Sequence, residues 1–232
     1  MRSRLSAALA WLGQQALPLR CLVCEEPGAA GLDLCAACHA ALPWNDHACR
    51  LCALPLPPGT PAGRCGTCLD DPPRQAAAAA VFLYTAPVDQ LLLRFKFHQH
   101  LTAGRLLSQL MLQRVPAFAT GALAPVPLHR QRLRSRGYDQ ALELTRPLAR
   151  GLQVPVWRGL QRDRLTAPQS ALDADARRCN LRNAFSVRTP PPSPLTVIDD
   201  VMTTGATLDA AVGALQGAGL VDVNVWVCAR VP

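Results

Sequence analysis

The chain has 232 residues, half of them apolar and 17% charged, with ten cysteines and a formal net charge of +8. So much apolar surface with so little charge excludes a disordered chain. No run approaches the roughly 18 uninterrupted apolar residues of a transmembrane helix. The charge surplus is local: residues 1–75 hold six Arg against six acids, whereas residues 129–188 hold thirteen Arg against five acids. A cationic field confined to one stretch suits an anionic partner, either nucleic acid or a polyphosphate. The plainer alternative is a solvated surface in a chain where 23 of the 24 cations are Arg.

At the start of the chain, Leu5, Leu9, Leu12 and Leu17 share one helical face that Pro18 ends. Gln14 and Gln15 interrupt any secretory apolar core, so residues 1–20 read as a docking helix and the protein as cytoplasmic. Four Cys-x-x-Cys pairs follow: Cys21/Cys24, Cys35/Cys38, Cys49/Cys52 and Cys65/Cys68. Two thiolates three residues apart in a tight turn can face one cation, and two such turns complete a tetrahedron. Residues 21–72 therefore read as a double zinc-binding module holding two structural Zn²⁺. Pairing can be sequential or interleaved on spacing alone. A disulfide scaffold needs an oxidising compartment, and iron–sulfur runs use other spacings. His39 and His47 flank the turns as surface or supporting groups, since eight Cys already satisfy two ions.

From residue 76 to 232, strands alternate with helices, the pattern of a parallel sheet wrapped by helices. The expected elements in order are a strand at 81–84, helices at 88–97 and 101–114, a strand at 122–126, a helix at 138–152 and a strand at 154–160. An irregular Arg-rich segment runs to 183. A strand at 184–187, a buried strand at 195–198, a helix at 208–215 and a strand at 221–231 complete the chain.

One stretch carries chemistry: Leu195-Thr196-Val197-Ile198-Asp199-Asp200-Val201-Met202-Thr203-Thr204-Gly205-Ala206-Thr207. A buried strand leads into two carboxylates, then a hydroxyl- and Gly-bearing loop opens a helix. Ligands of α/β folds bind at the carboxyl ends of strands. Backbone N–H groups at a helix N-terminus take phosphate, and Gly205 allows close approach. Adjacent acids suit a ribose diol, directly or through a divalent ion. An ordinary N-cap is the alternative, but it leaves both acids and three threonines around one glycine unexplained.

Residues 197–207 resemble the loop that binds 5-phosphoribosyl 1-pyrophosphate (PRPP) in type I phosphoribosyltransferases. Pro125-Val126-Pro127-Leu128-His129-Arg130, with Arg132, Arg134 and Arg136-Gly137-Tyr138-Asp139-Gln140, resembles the ComF/GntX competence family. So do Arg164-x-Thr166-x-Pro168-Gln169, Arg177-x-x-Asn180-Leu181, Ala184-Phe185 and the Cys-rich N-terminus. In one departure, His98-Gln99-His100 follows Lys96-Phe97 where the family usually shows a Gly.

The resemblance implies a type I phosphoribosyltransferase-like α/β domain over 76–232 behind the zinc module. It implies that Asp199 and Asp200 hold the ribose hydroxyls, directly or through Mg²⁺. Val201 and Met202 lead into the phosphate cradle of Thr203, Thr204, Gly205, Ala206 and Thr207. Leu128, His129 and Arg130 would form the pyrophosphate loop, with Arg132, Arg134 and Arg136 nearby. Arg164 or Arg177 would close over the site on a flexible loop. Lys96, the one lysine of the chain, would sit in a narrow place beside a phosphate.

Two functions follow. The first is an enzyme that transfers ribosyl 5-phosphate to an acceptor the sequence does not identify, with catalysis resting on Asp199, Asp200, Arg130 and Lys96. The second is a PRPP-sensing adaptor that handles single-stranded DNA, or binds DNA-uptake proteins, during competence. The arginines are not interleaved with aromatic residues, as a base-stacking surface would want.

Overall fold

The computed structural model describes residues 19–60, 63–164 and 184–232. The expected docking helix up to residue 18 and the segment 165–183, with Arg177, lie outside them. The chain forms two compact units that divide between Leu42 and Pro43.

In the first unit, Cys21 N–H donates to Glu26 O at 2.7 Å and Glu25 N–H donates to Cys21 O at 2.9 Å. Glu25 takes φ 68°, the left-handed conformation that reverses the chain within the turn. Arg20 and Pro27 bridge beneath it. Cys35 then caps α1 (Ala36–Ala40), its Sγ accepting from Cys38 N–H at 3.4 Å. The second unit opens with the same construction. Cys49 N–H donates to Leu54 O and Ala53 N–H to Cys49 O, with Ala53 at φ 53° and a bridge between Ala48 and Pro55. Cys65 precedes α2 (Gly66–Asp70).

The second unit continues with β1 (Ala77–Leu83), α3 (Val88–Phe97), α4 (Leu101–Met111), β2 (Ala122–Pro125), α5 (Arg130–Arg136) and α6 (Gln140–Leu152). Then come β3 (Leu160–Arg162), β4 (Phe185–Val187), β5 (Leu195–Met202), α7 (Ala206–Gly217) and β6 (Val223–Arg230). Four strands form a parallel sheet in the order β1-β6-β5-β2, and β3 and β4 make a separate antiparallel pair. This is the α/β architecture that the alternation of elements predicts. The central strands are apolar on both faces because helices cover both. Leu208, Ala211, Val212 and Leu215 of α7 pack with Val197, Val223, Val225 and Val227. Leu91, Leu92 and Phe95 of α3 and Leu106, Leu107 and Leu110 of α4 are also fully buried.

The structure corrects several expected boundaries. β1 begins at Ala77, because Ala77–Ala80 pair in register with Asn224–Val227 even though alanine has little strand preference of its own. No strand spans 154–160. Pro155 has no N–H to give a ladder, so Leu123 makes one bridge with Val156, and β3 starts only at Leu160. β5 runs past the acids to Met202, so Asp199 and Asp200 lie inside a strand. Helix α5 is an addition: four arginines in seven residues show no apolar face to predict it. Among the described residues, no helix is long and apolar enough to cross a membrane.

Candidate metal centres and anion site

The four Sγ atoms of Cys21, Cys24, Cys35 and Cys38 lie within 4.8 Å of one another, as do those of Cys49, Cys52, Cys65 and Cys68. The pairing is therefore sequential. Sulfur separations of 3.6 Å for Cys24–Cys35, Cys24–Cys38 and Cys52–Cys65 match a tetrahedron. Zn–S bonds of about 2.3 Å give tetrahedral edges of roughly 3.8 Å. The donor chemistry fits too. Burial first, then Cys52 and Cys65, push the Cys68 thiol up, whereas backbone N–H groups work against burial to bring Cys49 down to about 6. A divalent cation relieves that conflict by taking all four as thiolates. Zinc there would act structurally, closing a small core of Cys49, Leu51, Leu56, Cys65 and Cys68.

At the carboxyl end of the sheet, β2 and β5 lie side by side while the chain leaves them toward different helices, α5 and α7. Such a divergence opens a crevice. After Met202, the chain turns through Thr203 and Thr204, both exposed, into Gly205 at φ 79°. Gly205 is the N-cap of α7 and makes no side-chain cap bond, while the Thr204 Oγ1 accepts the Ala206 N–H at 3.4 Å. A Cβ there would be strained. Asp199, Val201, Met202, Thr203, Gly205, Ala206, Thr207 and Leu208 line a shallow recess.

Successive residues of a strand face opposite ways, and the two acids divide accordingly. Asp199 lines the recess. Its Oδ1 accepts the Asp200 N–H at 2.9 Å. Burial first, and the Asp200 charge second, push its carboxyl up to about 8. Asp200 turns toward α3, where Lys96 Nζ lies 3.0 Å from its Oδ1, with the two side chains 19% and 12% exposed. Burial opposes the ammonium, but the charge and hydrogen bond of Asp200 hold it above the usual lysine range. Lys96 thus neutralises an acid. The turn after it places Gln99 at φ 52°, the conformation for which a glycine is the usual choice.

The Asp199 shift gives a signed prediction. A carboxyl raised in the folded state carries stability that is full below its ordinary value near 3.8 and lost as pH rises to about 8. Asp199→Asn keeps the Oδ1 acceptor and removes the titration. It should raise the melting temperature at pH 8 by roughly 10 °C and leave it unchanged near pH 3. Differential scanning calorimetry across that range checks it.

The remaining site residues of the sequence reading fall as follows. Leu128 N–H donates to Asp139 Oδ2 at 3.0 Å, and Asp139 Oδ1 accepts from Leu142 N–H, so Asp139 both caps α6 and holds the 126–129 connection. His129 caps α5, with Nδ1 accepting from Gln131 N–H at 3.3 Å. Arg130 and Arg134 are exposed on α5, and Arg164 is exposed after β3. Two residues were missed. Arg162 is 8% exposed, with its guanidinium over the Phe185 ring at 5.4 Å. Burial, then Arg132, hold it below the usual range, while Asp199 opposes them. Phe97 is 60% exposed, and Arg136 lies 5.2 Å over its ring. An aromatic is therefore joined to the arginines after all, from a distant part of the sequence.

Comparison with known proteins agrees with this architecture. Residues 12–69 match the double zinc ribbon domain family. The DNA utilization protein YhgH of Salmonella typhi is 33% identical over 225 residues, covering 92% of this chain and 98% of the relative. Its counterpart in Escherichia coli K12 is 33% identical over 230 residues with the same coverage. Competence protein F of Haemophilus influenzae is 35% identical over 181 residues, 73% of this chain and 79% of the relative. Similarity at this level along nearly the whole length shows that the chain belongs to the ComF/GntX family, alongside competence protein F and the YhgH proteins.

Proposed function

We propose that residues 76–232 form a phosphoribosyltransferase-type domain whose sheet end receives PRPP. The observation that carries this reading is the recess itself, in which the Asp199 carboxyl shares a wall with a helix N-terminus capped by Gly205. Thr203, Thr204 and the first turn of α7 would hold the 5-phosphate. Asp199, raised toward neutrality, can donate to or accept from a ribose hydroxyl. Asp200, fixed by Lys96, positions the strand end beside it. Arg130, Arg132 and Arg162 supply positive charge for the pyrophosphate. In the transfer, the bond from the anomeric carbon to the pyrophosphate oxygen breaks and its electron pair leaves with pyrophosphate. A lone pair of the acceptor forms the new bond, and the acceptor releases its proton.

Mg²⁺ does not fit the acid pair. Lys96 already neutralises Asp200, and Asp199 is held above the usual carboxylate range. The two carboxyls also face opposite ways, Asp199 into the recess and Asp200 toward Lys96, so they do not converge on one divalent ion. The test is titration calorimetry with PRPP. Asp199→Ala with Asp200→Ala should weaken binding by at least about tenfold, since a hydrogen bond to a charged group contributes about 1.5–3 kcal/mol. Unchanged affinity in a folded double variant would remove the assignment.

A second reading, handling of single-stranded DNA, is favoured by Phe97 under Arg136 beside the α5 arginines. Relatives named for DNA utilization and competence support it. Stacking on an exposed ring contributes about 1–3 kcal/mol per base. Phe97→Ala should therefore weaken oligonucleotide binding about fivefold or more and leave PRPP binding intact. Fluorescence anisotropy at low and moderate salt separates the two effects.

A further inference from the structure

We propose that Arg230 is a positioning residue that ties the second cysteine cluster to the phosphate loop, so that metal occupancy of Cys49, Cys52, Cys65 and Cys68 sets the order of residues 202–207. The importance of that loop rests on the reading given above, but the coupling itself does not.

Arg230 ends β6 and pairs in register with Met202, the last residue of β5. It is 9% exposed. A buried arginine at a strand end is costly unless its donors and charge are matched. Its Nε donates to the backbone carbonyl of Cys52 at 3.0 Å. Its Nη1 donates to Met202 O at 3.3 Å, and also to Thr203 O and Val231 O. One planar fork therefore spans a cysteine of the cluster and the two residues that enter the loop. Only a guanidinium offers several donors in such a rigid arrangement.

The geometry has a directional consequence. The carbonyl of Thr203 and the N–H of Thr204 belong to one rigid peptide plane and point in opposite senses. Holding that carbonyl on Arg230 fixes where the Thr204 N–H aims. The Met202 carbonyl is shared, since it also accepts the Val231 N–H at 3.0 Å. The Thr203–Thr204 peptide is therefore the part of the loop that Arg230 orients.

The second cysteine cluster enters this arrangement through the Cys52 carbonyl, which accepts from Arg230 Nε at 3.0 Å. A zinc ion held by Cys49, Cys52, Cys65 and Cys68 would fix the turn that presents this carbonyl. Losing the metal, or joining the cysteines as disulfides, leaves a less ordered turn around Cys52. Either change loosens Arg230 and, with it, the Thr203 carbonyl.

The experiment uses the full chain and hydrogen exchange of the 200–208 segment, read alongside zinc content and PRPP affinity. Arg230→Met should keep two zinc ions, speed exchange at 203–207 about tenfold, and leave the Ala36–Ala40 segment unchanged. PRPP affinity should fall about tenfold. Arg230→Lys, which keeps the charge without the fork, should restore only part of the protection. Cys68→Ser, with wild-type Arg230, should reproduce the faster loop exchange. If Arg230→Met does not fold, Arg230→Lys and Cys68→Ser still decide the matter. Unchanged loop exchange in zinc-loaded Arg230→Met, or in Cys68→Ser if that variant is the one that folds, overturns the proposal. Failure of the wild type to bind PRPP while loop exchange still follows Arg230 and zinc would overturn the phosphate reading and leave the coupling standing.

Discussion

Lys96→Met is expected to destabilise the protein by about 3–5 kcal/mol at pH 7, because it strands the Asp200 carboxylate without its cation. For a chain of this size, that is a melting-temperature drop of about 10 °C or more. The pH dependence has a definite sign. The Lys96 value is raised in the folded state, so its contribution is full below the ordinary lysine value near 10.5 and is lost as pH rises through the folded value. The gap between wild type and Lys96→Met should therefore be full at neutral pH and close in strong alkali. Lys96→Arg should lose less stability, since charge is kept, but the wide fork replaces a compact point charge in a tight place. Calorimetric melting of the three proteins at pH 7 and pH 11 checks the order. Equal stability of wild type and Lys96→Met at pH 7 would show that the pair is incidental.

The second large effect concerns the cysteines. Cys49→Ser combined with Cys68→Ser should lower the metal content from two zinc ions per chain to one, and Cys21→Ser with Cys38→Ser should remove the other. The Cys49 pair should carry the heavier cost, since Cys49, Cys65 and Cys68 are themselves buried with Leu51 and Leu56. Structural zinc contributes on the order of 10 kcal/mol in small ribbon peptides, so loss of this site should cost at least several. Elemental analysis and melting curves measure both. Metal near zero in the wild type, with four disulfides by mass, would contradict the sequential zinc assignment.

How far the sequence carried the structure differs from place to place. Helix α3 was legible to the residue because apolar positions repeat at helical spacing and Leu91, Leu92 and Phe95 all become buried. The 195–207 motif was legible because a strand, a glycine turn and a helix each have their own local chemistry. The pairing of the cysteine turns was not, because spacing constrains geometry within a turn and says nothing about which turn it meets. The division of the acids also escaped. Two adjacent carboxylates look equivalent in a string, yet extension of β5 to Met202 sends them to opposite faces. Phe97 and Arg136 meet only because the turn after α3 and the helix after β2 converge at one sheet end. Arg230 gives no sequence signal, since its partners are backbone carbonyls and any residue can supply those.

The central claim, that the sheet end is a receptor for a phosphorylated ribose, is tested most directly by titrating PRPP into zinc-loaded wild-type protein and following heat and melting temperature. One saturable site per chain is expected, with ribose 5-phosphate competing for it and binding lost in Asp199→Ala with Asp200→Ala. A folded, zinc-loaded wild type that shows neither heat nor thermal stabilisation with millimolar PRPP would contradict it.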